Sequence, residues 1–253
     1  MKKINVRNFR SLKDYVNKYG EKINPNKIYR GGSLGLLSQE EKDYFYNKLN
    51  IKYVLDFRDE LEAGLDPDVL STGTVYQRIS SMGLISTDFD NFDFGSILSS
   101  GNMNEEKIVK IKNYLLEGYR QMAFSNLAYQ ELFNCILNDD GNIYIHCTAG
   151  KDRTGIGAFL IMIALGISEK DSIEEYLLSN EYLEKGNDEL CKMLGIDENK
   201  KEKCMHFLQV REEYIKITIE EINRRYGNYD DFLFNEYGLD KIKREKLRKI
   251  CCQ

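Results

Sequence analysis

The sequence of 253 residues predicts an α/β fold, a small central sheet surrounded by helices with a helix-rich C-terminal half. Three observations carry this. Ile51-Lys52-Tyr53-Val54-Leu55 alternates like a strand, and Asn142 to His146 (NIYIH) is a short apolar run entered from the turn-like Asp139-Asp140-Gly141. Segments with helical patterning and capping residues separate these strands. After Ser168 nearly all of the chain reads as helix.

In chain order, Ser38-Gln39-Glu40-Glu41 is a capping box that opens a helix through Leu49. The strand from Ile51 runs into Asp56-Phe57-Arg58, and Thr74 to Ile79 (TVYQRI) is a second strand. Residues 80–103 form a long loop rich in Ser, Gly, Asn and Asp, with Phe89, Phe92 and Phe94 as a wall, lid or anchor. Asn104 caps a helix through about Phe124, and Ser125 caps another through Leu137. An apolar helix starts at Thr154, Ser168-x-x-Asp171 opens the next, Lys201 to Tyr226 is one long amphipathic helix, and Asp240 to Ile250 closes the chain. No internal repeat or Pro/Gly/Ser linker divides residues 1–253, so one domain is expected.

Hydrophobic residues make up 42% and charged residues 30%, the balance of a chain with a packed core and not of a disordered one. The net charge of −5 disfavours a broad basic face for nucleic acid. Two histidines, His146 and His206, nearly exclude a multi-histidine metal site. The N-terminus has no apolar segment behind its lysines, and Thr154 to Ser168 is too short to span a bilayer. A cytoplasmic protein without an integral membrane segment is expected, with export by a route needing no signal peptide left open. The six cysteines form no CxxC pair, so reduced thiols are expected.

The ten residues His146-Cys147-Thr148-Ala149-Gly150-Lys151-Asp152-Arg153-Thr154-Gly155 lie between a strand and a helix. A helix N-terminus offers unpaired N–H groups and the positive end of a dipole. Five residues between Cys147 and Arg153 let the backbone curl into a nest for one tetrahedral anion. Arg153 would clamp two of its oxygens, and such a field favours the thiolate of Cys147, the form that acts as nucleophile. Cys-x5-Arg alone is a weak signal, but the complete string in this setting is a strong one. A buried, inert Cys147 would leave Lys151, Asp152 and Arg153 unexplained.

HCTAGKDRTG resembles the phosphate-binding loop of cysteine-dependent protein tyrosine phosphatases. Its Lys-Asp pair resembles in particular the atypical bacterial family whose members also act on phosphoinositides. Ile28-Tyr29-Arg30-Gly31-Gly32-Ser33-Leu34, Asp56-Phe57-Arg58 with Glu62 and Pro67-Asp68, Tyr176-Leu177-Leu178-Ser179-Asn180, and Tyr226-Gly227 extend the resemblance over about residues 26–250. Gly31 and Phe57 depart from the family pattern.

The resemblance implies a protein-tyrosine-phosphatase-like fold and a phosphomonoester hydrolase that forms a cysteinyl-phosphate. Its substrates would be phosphotyrosine protein, with phosphoserine/threonine and phosphoinositides as further ones, and no metal or cofactor is needed. Cys147 is the nucleophile. Arg153 and the amides of Thr148, Ala149, Gly150 and Lys151 onward hold the phosphate. The resemblance makes Asp152 the general acid, with Asp66, Asp68, Asp88, Asp90 and Asp93 as the other loop carboxylates open to that role. It assigns Lys151 to further phosphates on an inositol ring and places Arg58 beside the loop, oriented by Asp56. A plain surface pair of Asp56 and Arg58 is the alternative. His146 either hydrogen-bonds the loop or is simply buried. Thr154 either donates to the leaving sulfur or caps the helix. A helical lid within 169–226 is a further expectation.

Other readings are a catalytically dead phospho-ligand binding module, which would need a broken nucleophile or arginine, and an inositol polyphosphate phosphatase, which would need a more basic pocket. Rhodanese-like sulfur transfer is disfavoured by Thr154-Gly155 opening the helix, and arsenate reduction by the lack of placed resolving cysteines.

Overall fold

A computed structural model describes residues 3–82, 105–138, 140–193, 205 and 207–253. Five strands form one sheet: β1 (Arg10–Ser11), β2 (Ile28–Gly31), β3 (Ile51–Asp56), β4 (Val75–Arg78) and β5 (Asn142–His146). Their spatial order is β1-β2-β5-β3-β4, with β1 antiparallel to β2 and every other pair parallel. The small mixed α/β architecture is therefore as expected, and β3, β4 and β5 fall on the three segments expected to be strands.

The last strand in the sequence is the middle one in space. Gly31 on β2 and Asp56 on β3 both stand opposite His146 at the end of β5. The chain leaves β5 at the carboxyl edge between two parallel neighbours, the crevice where open α/β sheets bind ligands.

The helices among the described residues are α1 (Gln39–Asp43), α2 (Glu60–Leu65), α3 (Glu105–Gln121), α4 (Leu127–Asn138), α5 (Asp152–Leu165), α6 (Glu169–Leu177), α7 (Ser179–Met193), α8 (Glu212–Tyr226), α9 (Tyr229–Tyr237) and α10 (Lys241–Cys251). The Ser38 capping box is present, and α1 continues as a wider π-type turn over Tyr44–Lys48. In α5 every residue from Thr154 to Leu165 is buried. Each large apolar side chain there contributes roughly 1.5–3 kcal/mol. This helix is the centre of the main core, packed between the sheet and α4, α6 and α10.

Several boundaries differ from expectation. The apolar helix begins at Asp152, two residues before Thr154, with Lys151 at the cap position. Thr154 is thus inside the helix and does not cap it. Ser125 adopts a left-handed φ of 47° and donates its amide to Glu236 instead of capping. Asn126 takes the cap, accepting from the Ala128 amide. The expected continuous helix over 201–226 is interrupted, because Val210 exchanges two hydrogen bonds with the Asn180 side chain and α8 starts only after Arg211. Tertiary pairing there outweighs helical periodicity. Asp59-x-x-Glu62 opens α2 with a second capping box that the sequence reading passed over. The Asn104 cap, most of the expected loop at 80–103 with its three Phe, Cys204 and His206 lie outside the described residues.

Two buried arginines stitch the sheet to α6. Glu175 is 2% exposed, and it accepts from Arg10 Nε at 2.7 Å and from Arg30 Nη1 at 2.5 Å. Burial lowers the Arg30 guanidinium to about 10, with Arg10 adding to the shift and Glu175 opposing it. Arg30 therefore remains charged at neutral pH. Removing one partner of such a set strands buried charge. Glu175→Ala is expected to destabilise the protein by about 3–5 kcal/mol, read as a shift of the urea midpoint. An unchanged midpoint would show that both guanidiniums find other acceptors.

Candidate active site

The turn from β5 to α5 is held from behind. The Gly150 carbonyl accepts from Asn8 Nδ2 at 2.7 Å and from Arg30 Nη2 at 2.8 Å. The Thr148 carbonyl accepts from the Ser33 amide at 3.3 Å, the Cys147 carbonyl from His146 Nδ1 at 3.3 Å, and the Lys151 carbonyl from Arg30 Nη2 at 3.5 Å. None of the peptide bonds among the described residues is cis. A trans peptide sets its C=O and the next N–H in opposite directions. Tying these four carbonyls back therefore turns the N–H groups of Thr148, Ala149, Lys151 and Asp152 away from the braces, and α5 begins where they end.

Gly150 makes the turn possible. Its φ is +68°, and a Cβ there would lie 2.2 Å from the Gly31 backbone. Glycine at 31 belongs to the same close approach, since a Cβ there would meet the Tyr144 hydroxyl at 2.6 Å. The departure of Gly31 from the family pattern thus has a local packing reason.

Cys147 is buried at the floor of the turn, with the guanidiniums of Arg153, Arg30 and Arg7 around it. Arg153 is held by Glu62 on α2: Nη1 donates to Oε2 at 2.5 Å and Nη2 to Oε1 at 2.6 Å. Thr148 Oγ1 also donates to Glu62, at 2.8 Å. A guanidinium has two bidentate edges. Glu62 takes both Nη atoms, which also donate at 3.4 Å to the Phe57 carbonyl (Nη1) and to Thr148 Oγ1 (Nη2), and among the described residues nothing takes Nε. Burial pushes the Glu62 carboxyl up, but the hydrogen bonds and charge of Arg153 outweigh it and bring it from its ordinary 4.5 to about 2. The same pair raises the Arg153 guanidinium further against its own burial.

On the β3 side lies a second buried lattice. Arg58 is fully buried: Nε donates to both Asp56 oxygens at 2.9 and 3.0 Å, and Nη2 to Asp56 Oδ2 at 2.8 Å and Asp68 Oδ2 at 2.6 Å. Its Nη1 donates to the Asp66 carbonyl at 2.7 Å. This is no surface pair. The side chain lies near the loop, but its donors are spent on bracing and not aimed at a ligand. Asp68 also accepts from the Leu34 amide at 2.7 Å, and Asp66 accepts from the Ser33 hydroxyl. Both alternative acids are thus engaged in holding the 33–34 turn. Asp88, Asp90 and Asp93 lie outside the described residues.

His146 is fully buried. A carbonyl only accepts, so Nδ1 carries the proton it gives to Cys147. Burial lowers the imidazole, against the pull of Asp56 and Asp68, and it is neutral at pH 7. Asp56, Asp68 and His146 are the metal-ligand types that come together among the described residues, with donor atoms within 4.8 Å of one another. The Arg58 guanidinium already supplies the cation there, and Tyr76 donates to Asp56 Oδ2 at 2.8 Å as well.

Asp152, in the first turn of α5, accepts from the Tyr119 hydroxyl at 2.6 Å and lies 3.3 Å from the Lys151 ammonium. Lys151 itself donates to the Phe207 carbonyl. Thr154 Oγ1 is buried and makes no hydrogen bond among the described residues. The structure therefore gathers Cys147, Thr148, Ala149, Gly150, Lys151, Asp152 and Arg153 in one turn and sets His146, Asp56 and Arg58 behind it.

The chain matches the tyrosine phosphatase family over residues 2–253. It belongs to that family. It is 31% identical to a tyrosine-protein phosphatase of Nostoc commune over 166 residues, 64% of this chain and 51% of that one. It is 23% identical to the triple specificity protein phosphatase PtpB of Mycobacterium tuberculosis over 96% of this chain and 95% of that one. The crystal structure of P. aeruginosa TpbA matches 84% of this chain and 98% of its own at 14% identity, with a TM-score of 0.32. As a member of the family this protein is an enzyme, a protein tyrosine phosphatase. No helix among its described residues is long and apolar enough to cross a membrane.

The sequence reading missed the roles of Glu62, Arg30, Arg10, Asn8, Glu175 and Tyr119. A charged residue inside a strand whose neighbours are all apolar was the available signal for Arg30. For Tyr119 there was none, because α3 meets the loop only in the fold.

Two outcomes follow from this geometry. The folded Glu62 carboxyl titrates below its unfolded value of 4.5, so its ion pair contributes stability that is fully present above 4.5 and is lost as the pH falls towards about 2. Glu62→Gln should flatten that stretch of the acid-unfolding curve, and an unaltered curve would remove Glu62 from it. Gly150→Ala should destabilise by about 2–5 kcal/mol through left-handed backbone and overpacking, measured by urea unfolding. A change below ~0.5 kcal/mol would mean the turn relaxes freely.

Proposed function

We propose that the protein hydrolyses phosphotyrosine in proteins through a cysteinyl-phosphate, with phosphoserine/threonine and phosphoinositides as further substrates. The observation that carries the mechanism is the set of loop carbonyls tied back to Asn8, Arg30, Ser33 and His146. It leaves backbone amides and one edge of Arg153 to meet a phosphoryl group above Cys147, an electrostatic arrangement present before substrate arrives.

In the first step the Cys147 sulfur attacks phosphorus, the bond to the tyrosyl oxygen breaks, and the Asp152 carboxyl passes its proton to that oxygen. In the second, water attacks the phosphorus, gives a proton to the Asp152 carboxylate, and the thiolate leaves. Thr154, buried with an unused hydroxyl, stands one residue beyond Arg153 and suits donation to that departing sulfur. His146, donating to the Cys147 carbonyl, and Arg58 with Asp56 hold the loop's shape.

The triple specificity of the PtpB relative favours a broad substrate range, and Lys151 and Arg7 are the cations at the loop suited to further phosphates. Reaching them, Lys151 would exchange the Phe207 carbonyl for the ligand.

The test is hydrolysis of an aryl phosphate in EDTA. Wild type should remain active, Cys147→Ser should lose activity, and Asp152→Asn should fall by about 10²-fold or more. Acid quenching during turnover should trap a phosphoryl group on Cys147, seen by mass spectrometry. Loss of activity on chelation, or turnover by Cys147→Ser, would overturn the mechanism. Phosphotyrosine peptide and phosphoinositide assayed on the same enzyme decide the substrate range.

A further inference from the structure

Two buried hydroxyls lead in single file to the acid. The Tyr176 and Tyr119 hydroxyls are 2.6 Å apart, and Tyr119 donates to Asp152 Oδ1 at 2.6 Å. Both phenols are 0% exposed. A phenol has one hydrogen. Tyr119 spends its hydrogen on the carboxyl, so Tyr176 spends its own on Tyr119. Both hydroxyls therefore point towards Asp152.

The packing that creates this file is specific. Tyr176 lies flat on α5 because residue 155 is glycine, where a Cβ would meet its ring at 2.8 Å. Burial, with Asp152 nearby, raises both phenols well above their ordinary 10, so they stay protonated donors throughout the working pH range. The Asp152 side chain is 20% exposed, and its other oxygen, Oδ2, lies 3.3 Å from the Lys151 ammonium. One oxygen is thus held in the core by Tyr119, and the other sits beside Lys151 of the loop.

We infer that Tyr119, seated by Tyr176, is a positioning residue for Asp152. It fixes Oδ1 as the acceptor oxygen, so the transferable proton sits on Oδ2, and it stabilises the carboxylate left when that proton goes to the departing oxygen. The inference rests on Asp152 being the general acid.

The test compares phenyl phosphate, a poor leaving group, with 2,4-dinitrophenyl phosphate, a good one, in wild type, Tyr119→Phe, Asp152→Asn and the double variant. Unfolding curves ensure that folded protein is compared. Tyr119→Phe should lose about 10–100-fold on phenyl phosphate and much less on the dinitrophenyl ester, and it should add little to Asp152→Asn. Should Tyr119→Phe fail to fold, Tyr176→Phe takes its place, with the same steepening but smaller. Equal losses on both esters, or none, alongside a steepened Asp152→Asn would overturn the positioning role and leave the acid standing. An Asp152→Asn enzyme with no added preference for the good leaving group would remove the acid assignment, and the positioning role with it.

Discussion

The outward pull on the loop carbonyls is the constraint on which the rest of the site depends. Gly150 C=O faces two buried donors, and the planar peptide then has no choice about where the Lys151 N–H points. Arg30 supplies one of those donors from inside a parallel strand, at the cost of a buried charge. That charge is tolerable because Glu175 on α6 neutralises it and shares itself with Arg10. The shape of the turn thus requires β1, β2 and α6 to be in place.

The two flanks of β5 solve the same problem differently. On the β2 side two arginines share one glutamate. On the β3 side one arginine, Arg58, is shared by Asp56 and Asp68, with neutral His146 wedged between them and the Cys147 carbonyl. Burial raises the Asp68 carboxyl, while the hydrogen bonds of Arg58 overcome burial and lower Asp56. One flank thus sets two guanidiniums on one carboxylate and the other two carboxylates on one guanidinium, so each of these charges has an opposite partner. Glu62 holds both Nη atoms of Arg153 and leaves its Nε, and the same carboxylate caps α2 by accepting from the Asp59 amide.

What could be read from residues follows from how local each feature is. The strand from Ile51 announces itself by alternation and that at 142–146 by a short apolar run after a turn, and the 146–155 string specifies a strand end, a tight turn and a helix start within ten residues. Ser125 and the 201–226 helix misled because their local preferences compete with distant partners, Glu236 in one case and Asn180 in the other. Arg58 reads as a ligand-facing residue at a strand end, yet the fold closes two carboxylates over it.

The sequence by itself determined the turn from Cys147 to Arg153 and the family, because a ten-residue string of strand end, turn and helix start is encoded by contiguous residues. The tertiary structure alone decided which way that turn faces, which carboxylate holds Arg153, and that Asp152 is joined to Tyr119 and Tyr176. These are contacts between residues 33 to 120 positions apart. Burial sets their strength, and no short stretch of sequence records it.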